Sequence, residues 1–171
     1  MMLRFRNAGF CFLLSALCVA LPVASAREKQ ASKIKASAIQ VMMIQSEKVT
    51  LPAEFRVSLY EQLIDQLQNK SIFSRVYRDG DRTAASVPDL ITLQCTVEKF
   101  KEGSEKTRQV TTVAGATSIT LRCRFSDQSG TSLLEREITG NVRFFGGNLK
   151  ATFDFAKKAA SVAEESFSSS K

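Results

Sequence analysis

The sequence predicts an α+β protein with a single domain, in which two helices pack on one face of a mixed or antiparallel sheet of about five strands. The sheet is predicted from residues 91–100 and 118–127, where apolar and polar residues largely alternate with the period of a strand covered on one face. The helices are predicted from residues 50–67 and 148–167, where apolar residues recur at spacings of three and four. The resulting order, β-α-β-β-β-β-α, favours helices layered on one sheet.

The N-terminus has the pattern of a secretory signal peptide. Two arginines give a basic start, residues 8–23 are almost wholly apolar, and Ala24 and Ala26 supply the small residues that a signal peptidase recognises. Residues 1–26 are therefore expected to be removed, so that the mature chain begins at Arg27. The protein is then expected in the periplasm or outside the cell.

Membrane attachment is not expected in the mature chain. The apolar run of the leader is short and interrupted by Pro22, which disfavours a membrane span, and an uncleaved N-terminal anchor is the alternative. A lipid anchor is not indicated, because a lipoprotein signal needs a small residue before its cysteine and Leu17 precedes Cys18. Cleavage at the predicted position would also remove Cys11 and Cys18.

The mature chain is long enough for one domain. Removing 26 of the 171 residues leaves 145, divided into a polar lead-in (27–32), the α+β domain (33–167) and a frayed tail (168–171). It carries 22 basic and 17 acidic residues without a run of five like charges, which favours a solvated surface and no specific nucleic-acid partner. Weak attraction to an anionic lipid or polymer is the alternative.

Composition argues against catalysis. The chain contains no histidine, which excludes Ser-His-Asp and Cys-His catalytic sets and zinc sites that use imidazole. No CxxC, GxGxxG or P-loop pattern occurs, and two mature cysteines cannot form a four-thiolate site. Catalysis by carboxylates alone is chemically possible, but the aspartates fall on predicted helix faces and in turns. We therefore expect no enzyme activity, no metal and no cofactor.

The first half of the domain contains a strand, a helix and a second strand. Residues 34–44 become apolar on both faces, as in a central strand under helices. Thr50 is the predicted cap of the helix, which tolerates Pro52 in its first turn. A short strand at 72–77 and a polar link at 83–89 follow. The core stripe of this helix is predicted at Phe55, Leu59, Leu63, Ile64 and Leu67.

The second half contains three strands and a helix. A long connection, residues 101–117, joins the two strands that each contain a cysteine, and residues 133–143 form the last predicted strand. Phe100 breaks the alternation of its strand, so either the strand ends near Glu98 or a bulge returns Phe100 to the core. The closing helix is predicted to be capped by Asn148, with a core stripe at Leu149, Phe153, Ala156, Ala160, Ala163 and Phe167.

Cys95 and Cys123 are predicted to form a disulfide. An antiparallel hairpin that sets them opposite each other also sets Val97 opposite Leu121, so the apolar faces agree. Opposed residues have Cα atoms about 4.5–5.5 Å apart, within reach of a disulfide, and an oxidising compartment would preserve the bond. Two buried free thiols are the alternative, because a bulge near Lys99 could shift the register.

The next hairpin is predicted to pair opposite charges on its exposed face. If Phe125 lies opposite Leu134, then Arg124 lies opposite Glu135 and Arg122 lies opposite Glu137. The same register sets Arg136 opposite Cys123 on the inner face, which is its weak point. The arginines are then partners within the sheet, and a nucleic-acid site is unnecessary.

Several stretches resemble the bacterial exported family called domain of unknown function 4410. They are "LYEQLIDQLQNKSIFSRVYRD", "DLITLQCTVEKFKEG" and "VAGATSITLRCRFSDQSGTSLLEREITG", followed by "GG" and a closing helix. The resemblance as a whole covers roughly residues 34–167. The resemblance implies an exported α+β envelope module without known catalytic residues. Members are often lipoproteins, and this chain departs from them in lacking a usable lipoprotein signal. The matching landmarks are Gly115, Ala116, the turn at residues 127–130, Gly140, Gly146 and Gly147.

Two functional hypotheses follow. The first is a non-enzymatic envelope module that binds another exported protein through a sheet edge or through the connection at 101–117, for which a flexible hairpin tip is the alternative. The second is a small-ligand or anion-binding periplasmic domain that uses Gly146, Gly147 and Asn148 at a helix start. A sharp strand-to-helix connection is the competing interpretation of those glycines. The sequence names neither the partner nor the oligomeric state.

Overall fold

A five-stranded mixed sheet forms the centre of the protein in a computed structural model that describes residues 32–110, 115–143 and 146–169. The strand order is β3-β2-β4-β5-β6. Strand β2 is parallel to both β3 and β4, and the rest of the sheet is antiparallel. The elements are β1 (Ile34–Ala36), β2 (Ala38–Val41), α1 (Ala53–Asn69), β3 (Arg75–Arg78), β4 (Leu90–Lys101), α2 (Glu105–Val110), β5 (Thr117–Ser126), β6 (Ser132–Val142), α3 (Lys150–Ser166) and β7 (Phe167–Ser169).

The antiparallel half of the sheet has the predicted register. Cys95 lies opposite Cys123 and Val97 lies opposite Leu121. The register shifts by one residue between Val97 and Lys99. This bulge returns Phe100 to the helix side, where its ring packs edge-on against Phe55 with the centroids 4.8 Å apart. The strand therefore continues to Lys101, and the second of the two predicted alternatives is confirmed.

Helix α1 buries the predicted stripe, but it begins later than predicted. Pro52 is the cap residue, no side chain caps the helix, and the predicted capping role of Thr50 is wrong. The Pro52 carbonyl accepts hydrogen bonds from the amides of Phe55 and Arg56, so the first turn is closed by the backbone itself. Tyr60 is buried beside the predicted stripe and donates a hydrogen bond to the Val41 carbonyl.

Helices α1 and α3 lie side by side on the sheet and run in the same direction. Ser58 and Thr152 share a hydrogen bond of 2.7 Å near the two helix starts, and Lys70 pairs with Glu164 at 2.5 Å near the two ends. Both contacts join residues that are 94 positions apart in the sequence. The two helices therefore lie in the same alignment at their starts and at their ends.

The stripe predicted for α3 is buried at Ala156, Ala160, Ala163 and Phe167, but not at Leu149 and Phe153. Leu149 and Phe153 are 41% and 46% exposed, whereas Phe155 is fully buried. Phe155 lies directly over Gly140 of β6: a Cβ added at Gly140 would meet the Phe155 Cβ at 2.6 Å and would also collide with the Ala151 carbonyl oxygen. The glycine thus lets the helix approach the sheet closely, which fixes Phe155 as the inward residue.

The two ends of the domain pair with each other. The first predicted strand is interrupted at Ser37, and its N-terminal part, β1, pairs in parallel with β7 in a separate two-stranded sheet. Ser168 and Ser169 are therefore strand residues, and the predicted frayed tail is wrong for them. Phe167 anchors this end, because it is fully buried and packs against Phe125 with the ring centroids 5.3 Å apart.

Two predicted links contain short helices. A 3-10 helix, Arg82–Ser86, lies in the polar link before β4, and Asp81 caps it by accepting a hydrogen bond from the Thr83 amide. Helix α2 lies in the connection between β4 and β5. The two helices α1 and α3 and the five-stranded sheet form one α+β domain, as predicted, and the compact unit begins at Ser32.

Candidate interaction surfaces

The predicted ligand corner, Gly146 to Asn148, is a tight connection from β6 to α3. Gly146 has φ +113°, a conformation that favours glycine, and the side chain of Lys150 lies where a Cβ on Gly146 would be. The cap residue of α3 is Leu149 without a side-chain hydrogen bond, so the predicted capping role of Asn148 is wrong.

The first amides of α3 are already engaged. The amides of Lys150, Ala151 and Thr152 donate hydrogen bonds of 3.0–3.1 Å to carbonyls three residues earlier in the chain, the first of which is that of Gly147. An anion at a helix start needs such amides to be free to converge on it. The geometry of the corner therefore favours a structural connection over an anion site.

The side chain of Asn148 instead joins the two ends of the long connection between β4 and β5. Its amide nitrogen donates to the Gly103 carbonyl at 3.2 Å and to the Glu102 carboxylate at 3.1 Å. Its oxygen accepts from the Thr117 hydroxyl at 2.8 Å, and that hydroxyl accepts from the Gly103 amide at 3.0 Å. Thr117 is fully buried. We call these four residues, Glu102, Gly103, Thr117 and Asn148, the neck.

The connection beyond the neck contains helix α2. Gly103 and Gly115 cross closely there, since a Cβ on Gly103 would collide with the Gly115 carbonyl oxygen. Helix α2 follows, and its last residue, Val110, is 84% exposed. Residues 111–114 lie outside the described part of the chain. The neck thus fixes the base of a segment that presents an apolar side chain to solvent.

The predicted disulfide between Cys95 and Cys123 is present. The two Cα atoms are 4.2 Å apart on directly opposed residues of β4 and β5. Both residues are on the inner face under the helices, with exposed fractions of 1% and 0%. A bond so placed has a structural role, because no solvent-borne thiol can reach either sulfur in the folded protein.

The outer face of the sheet is polar, as the predicted charge register requires. Arg124 lies opposite Glu135 and pairs with it at 3.1 Å. Arg122 lies opposite Glu137, as predicted, but its side chain pairs with Glu98 at 3.2 Å and with Glu135 at 3.8 Å. The two arginines are thus bonded within the sheet, and their charges are balanced there.

The outer edge of β6 carries two side chains from α3. The Asp154 carboxylate accepts a hydrogen bond of 2.9 Å from the Asn141 amide, and the Lys158 ammonium donates one of 2.8 Å to the Thr139 carbonyl. Asp154 and Lys158 also pair with each other at 2.7 Å. Sequence analysis placed neither residue in a site, and their spacing of four on a helix was the available signal.

The described residues form concavities that are open to solvent. One, of about 620 Å³, is lined by Gln68, Ser71, Phe73, Ser74, Arg75 and Val76. Among the described residues, no group of three or more histidine, cysteine, aspartate or glutamate side chains could hold a metal ion. The absence of an activity stays a prediction.

The predicted leader lies outside the described residues. Ala24, Ala26 and Arg27 all fall there, so cleavage and export stay predictions. Among the described helices, none combines the length and the apolarity that crossing a membrane requires.

Comparison with known proteins shows a likeness of fold alone. No protein-family model matches the chain, and no curated protein matches it. The chain is similar to the PelC dodecamer from Paraburkholderia phytofirmans, with 15% identity over 77% of this chain and 89% of PelC and a TM-score of 0.57. A variant PelC dodecamer from the same organism is 14% identical over 77% of this chain and 88% of the variant, with a TM-score of 0.54. Protein XCC0632 from Xanthomonas campestris, of the DUF330 family model, is 12% identical over 75% of this chain and 81% of XCC0632, with a TM-score of 0.49. At these identities the likeness shows a shared fold with PelC, and membership of the domain of unknown function 4410 family stays a prediction.

Proposed function

We propose that the protein is an exported, non-enzymatic module of the bacterial envelope that binds another exported protein through the connection between β4 and β5. The observation that carries the proposal is the neck. A fully buried threonine and an asparagine bind both ends of the connection, so its base is held in one geometry. A segment whose base is fixed before binding loses less entropy when it docks.

The apolar character of the segment supports a protein partner. Val110 is the most exposed of the large apolar side chains in the described residues, at 84%. A large apolar side chain held in water gains free energy when a partner covers it. The outer face of the sheet, by contrast, carries the paired charges of Arg122 with Glu98 and of Arg124 with Glu135.

Export is supported by the disulfide. A disulfide between buried residues of neighbouring strands is typical of proteins that fold in an oxidising compartment. The PelC dodecamer, which shares the fold, is an assembly of many copies, and this supports a role in an assembly. The anion-binding alternative has no such support, because the amides at the start of α3 are engaged.

Site-specific photo-crosslinking in cells of the native organism tests the proposal. A photoreactive amino acid at Val110 is expected to capture one discrete exported protein, identified by mass spectrometry. The matched control is the same probe at Gln94, on the polar outer face. Thr117→Ala, which removes two hydrogen bonds of the neck, is expected to reduce capture from Val110. Equal capture at both positions, or none at Val110, would contradict the proposal.

A further inference from the structure

Strand β6 is an edge of the sheet. It pairs with β5 on one side, and no strand among the described residues lies on its other side. The outward N–H and C=O groups of an edge strand are a template for pairing with another chain. The backbone N–H and C=O groups of alternate residues point to the same side of a strand. The groups of β6 that point away from β5 are therefore those of Glu135, Glu137, Thr139 and Asn141.

Two side chains of α3 occupy part of this template. Asp154 accepts from the outward amide of Asn141, and Lys158 donates to the outward carbonyl of Thr139. These are the bonds that a neighbouring strand would make. The ion pair between the two side chains holds them in place. Their exposed fractions are 35% and 47%, so they lie at the surface and are not required by the core.

A second copy of β6 is well matched to this edge in one register. In an antiparallel pair with Ile138 opposite its own copy, Leu134 lies opposite Val142 and Glu137 lies opposite Thr139, so apolar residues meet and no like charges do. The hydrogen bonds of this register need the carbonyl of Thr139 and the amide of Asn141.

Registers centred on a charged residue of β6 are unfavourable. A pair centred on Glu135, on Arg136 or on Glu137 sets that charge opposite its own copy, and like charges directly opposite each other are destabilising. The register centred on Ile138 is free of this repulsion, and Asp154 and Lys158 bind the two groups that it needs.

We propose that Asp154 and Lys158 close the edge of β6 against a second copy of the chain. The surface is a latent strand-pairing site, and the occupant excluded from it is β6 of another molecule. This inference does not depend on the proposed partner of the connection between β4 and β5.

Sedimentation of the mature chain, residues 27–171, tests the inference. The double variant Asp154→Ala/Lys158→Ala is expected to dimerise at concentrations at least about tenfold below those at which the wild type associates. Asp154→Asn, whose amide oxygen can still accept from Asn141, is expected to sediment as the wild type does. Glu165→Ala, on the same flank of α3, is the matched control. The two single alanine variants carry the same test if the double variant does not fold.

Two further measurements locate the contact. In dilute double variant the amide of Asn141 should exchange with deuterium faster than in the wild type. Adding Thr139→Glu to the double variant should reverse the dimerisation, because the new carboxylate would lie opposite Glu137 of the second copy. Unchanged sedimentation of the folded variants would overturn the inference, as would association that survives Thr139→Glu.

Discussion

Single polar residues hold the turns of this protein. In the turn between β5 and β6, the Asp127 carboxylate accepts hydrogen bonds from the Ser129 hydroxyl at 2.6 Å and from the amides of Ser129 and Thr131 at 2.9 Å each. The Ser129 hydroxyl is the main cause that lowers the pKa of Asp127 below its ordinary value, and the amides add to it. The ionised carboxylate is thus the form that this turn requires.

Stability should fall in acid partly through this turn. Because the folded pKa of Asp127 is lowered, its contribution is present above the ordinary pKa of about 3.9 and is lost as the pH falls through the lower folded value. Asp127→Ala should therefore be less stable than the wild type at pH 6, and the difference should shrink toward pH 3. Urea unfolding at a series of pH values measures it. A difference that does not change with pH would contradict the argument.

Gly140 is expected to be the least replaceable glycine of the described sheet. In Gly140→Ala the new methyl group meets the Phe155 Cβ at 2.6 Å, so α3 must move off the sheet, which costs about 2–3 kcal/mol. Gly80→Ala is the control, because its Cβ would have no atom within 4 Å and only its φ of +79° is strained, at about 1 kcal/mol. Urea unfolding of both variants measures the difference; equal losses would show that the close approach is unimportant.

The wrong prediction of Leu149 and Phe153 as core residues of α3 has a cause at the same scale. The helix is rich in apolar residues, and two overlapping stripes of three-and-four spacing pass through it, one containing Phe153 and the other Phe155. Spacing alone does not choose between them. The choice follows from Gly140, whose missing side chain admits Phe155, and a contact between residues so far apart in sequence leaves no local signal.

Among the elements, the hairpin of β4 and β5 was the most predictable. One face of each strand is apolar and each has one cysteine, so a single register satisfies both, and a shift by one residue would bury the polar face. The bulge before Lys99 was one of the two alternatives predicted from the position of Phe100. The pairing of β1 with β7 was not predictable, because each strand has three residues and lies at an opposite end of the domain.

The disulfide should contribute strongly to the stability of this hairpin. It closes a loop between residues 28 positions apart, and a loop of this length corresponds to about 3.5 kcal/mol by the chain-entropy estimate. Cys95→Ala/Cys123→Ala should lose about that free energy of unfolding in urea. Wild-type protein unfolded in the presence of reductant should approach the same value, while the variant should not respond to reductant. Equal stability of variant and wild type would show that the bond is dispensable.

For the whole molecule, the fold class was predictable from the sequence, but the candidate interaction surfaces were not. Alternation and helical spacing specify which faces are buried, and burial determines how helices and sheet are layered. The neck and the closed edge of β6 depend instead on polar side chains from distant elements, such as Thr117 with Asn148 and Asp154 with Asn141. Isolated polar residues carry no periodic signal, so their partners become visible only in three dimensions.

Export of the whole chain is the prediction on which the compartment depends. The leader pattern predicts that protein recovered from the envelope or the medium begins at Arg27, because Ala24 and Ala26 fit the signal peptidase. The buried disulfide adds a second readout, since Cys95 and Cys123 must be oxidised before the helices cover them. N-terminal sequencing and non-reducing mass spectrometry should therefore find a chain from Arg27 that is two hydrogens lighter than its dithiol form. A chain that retains Met1, one that begins at a lipidated Cys18, or one whose thiols are freely alkylated when folded would each contradict the prediction.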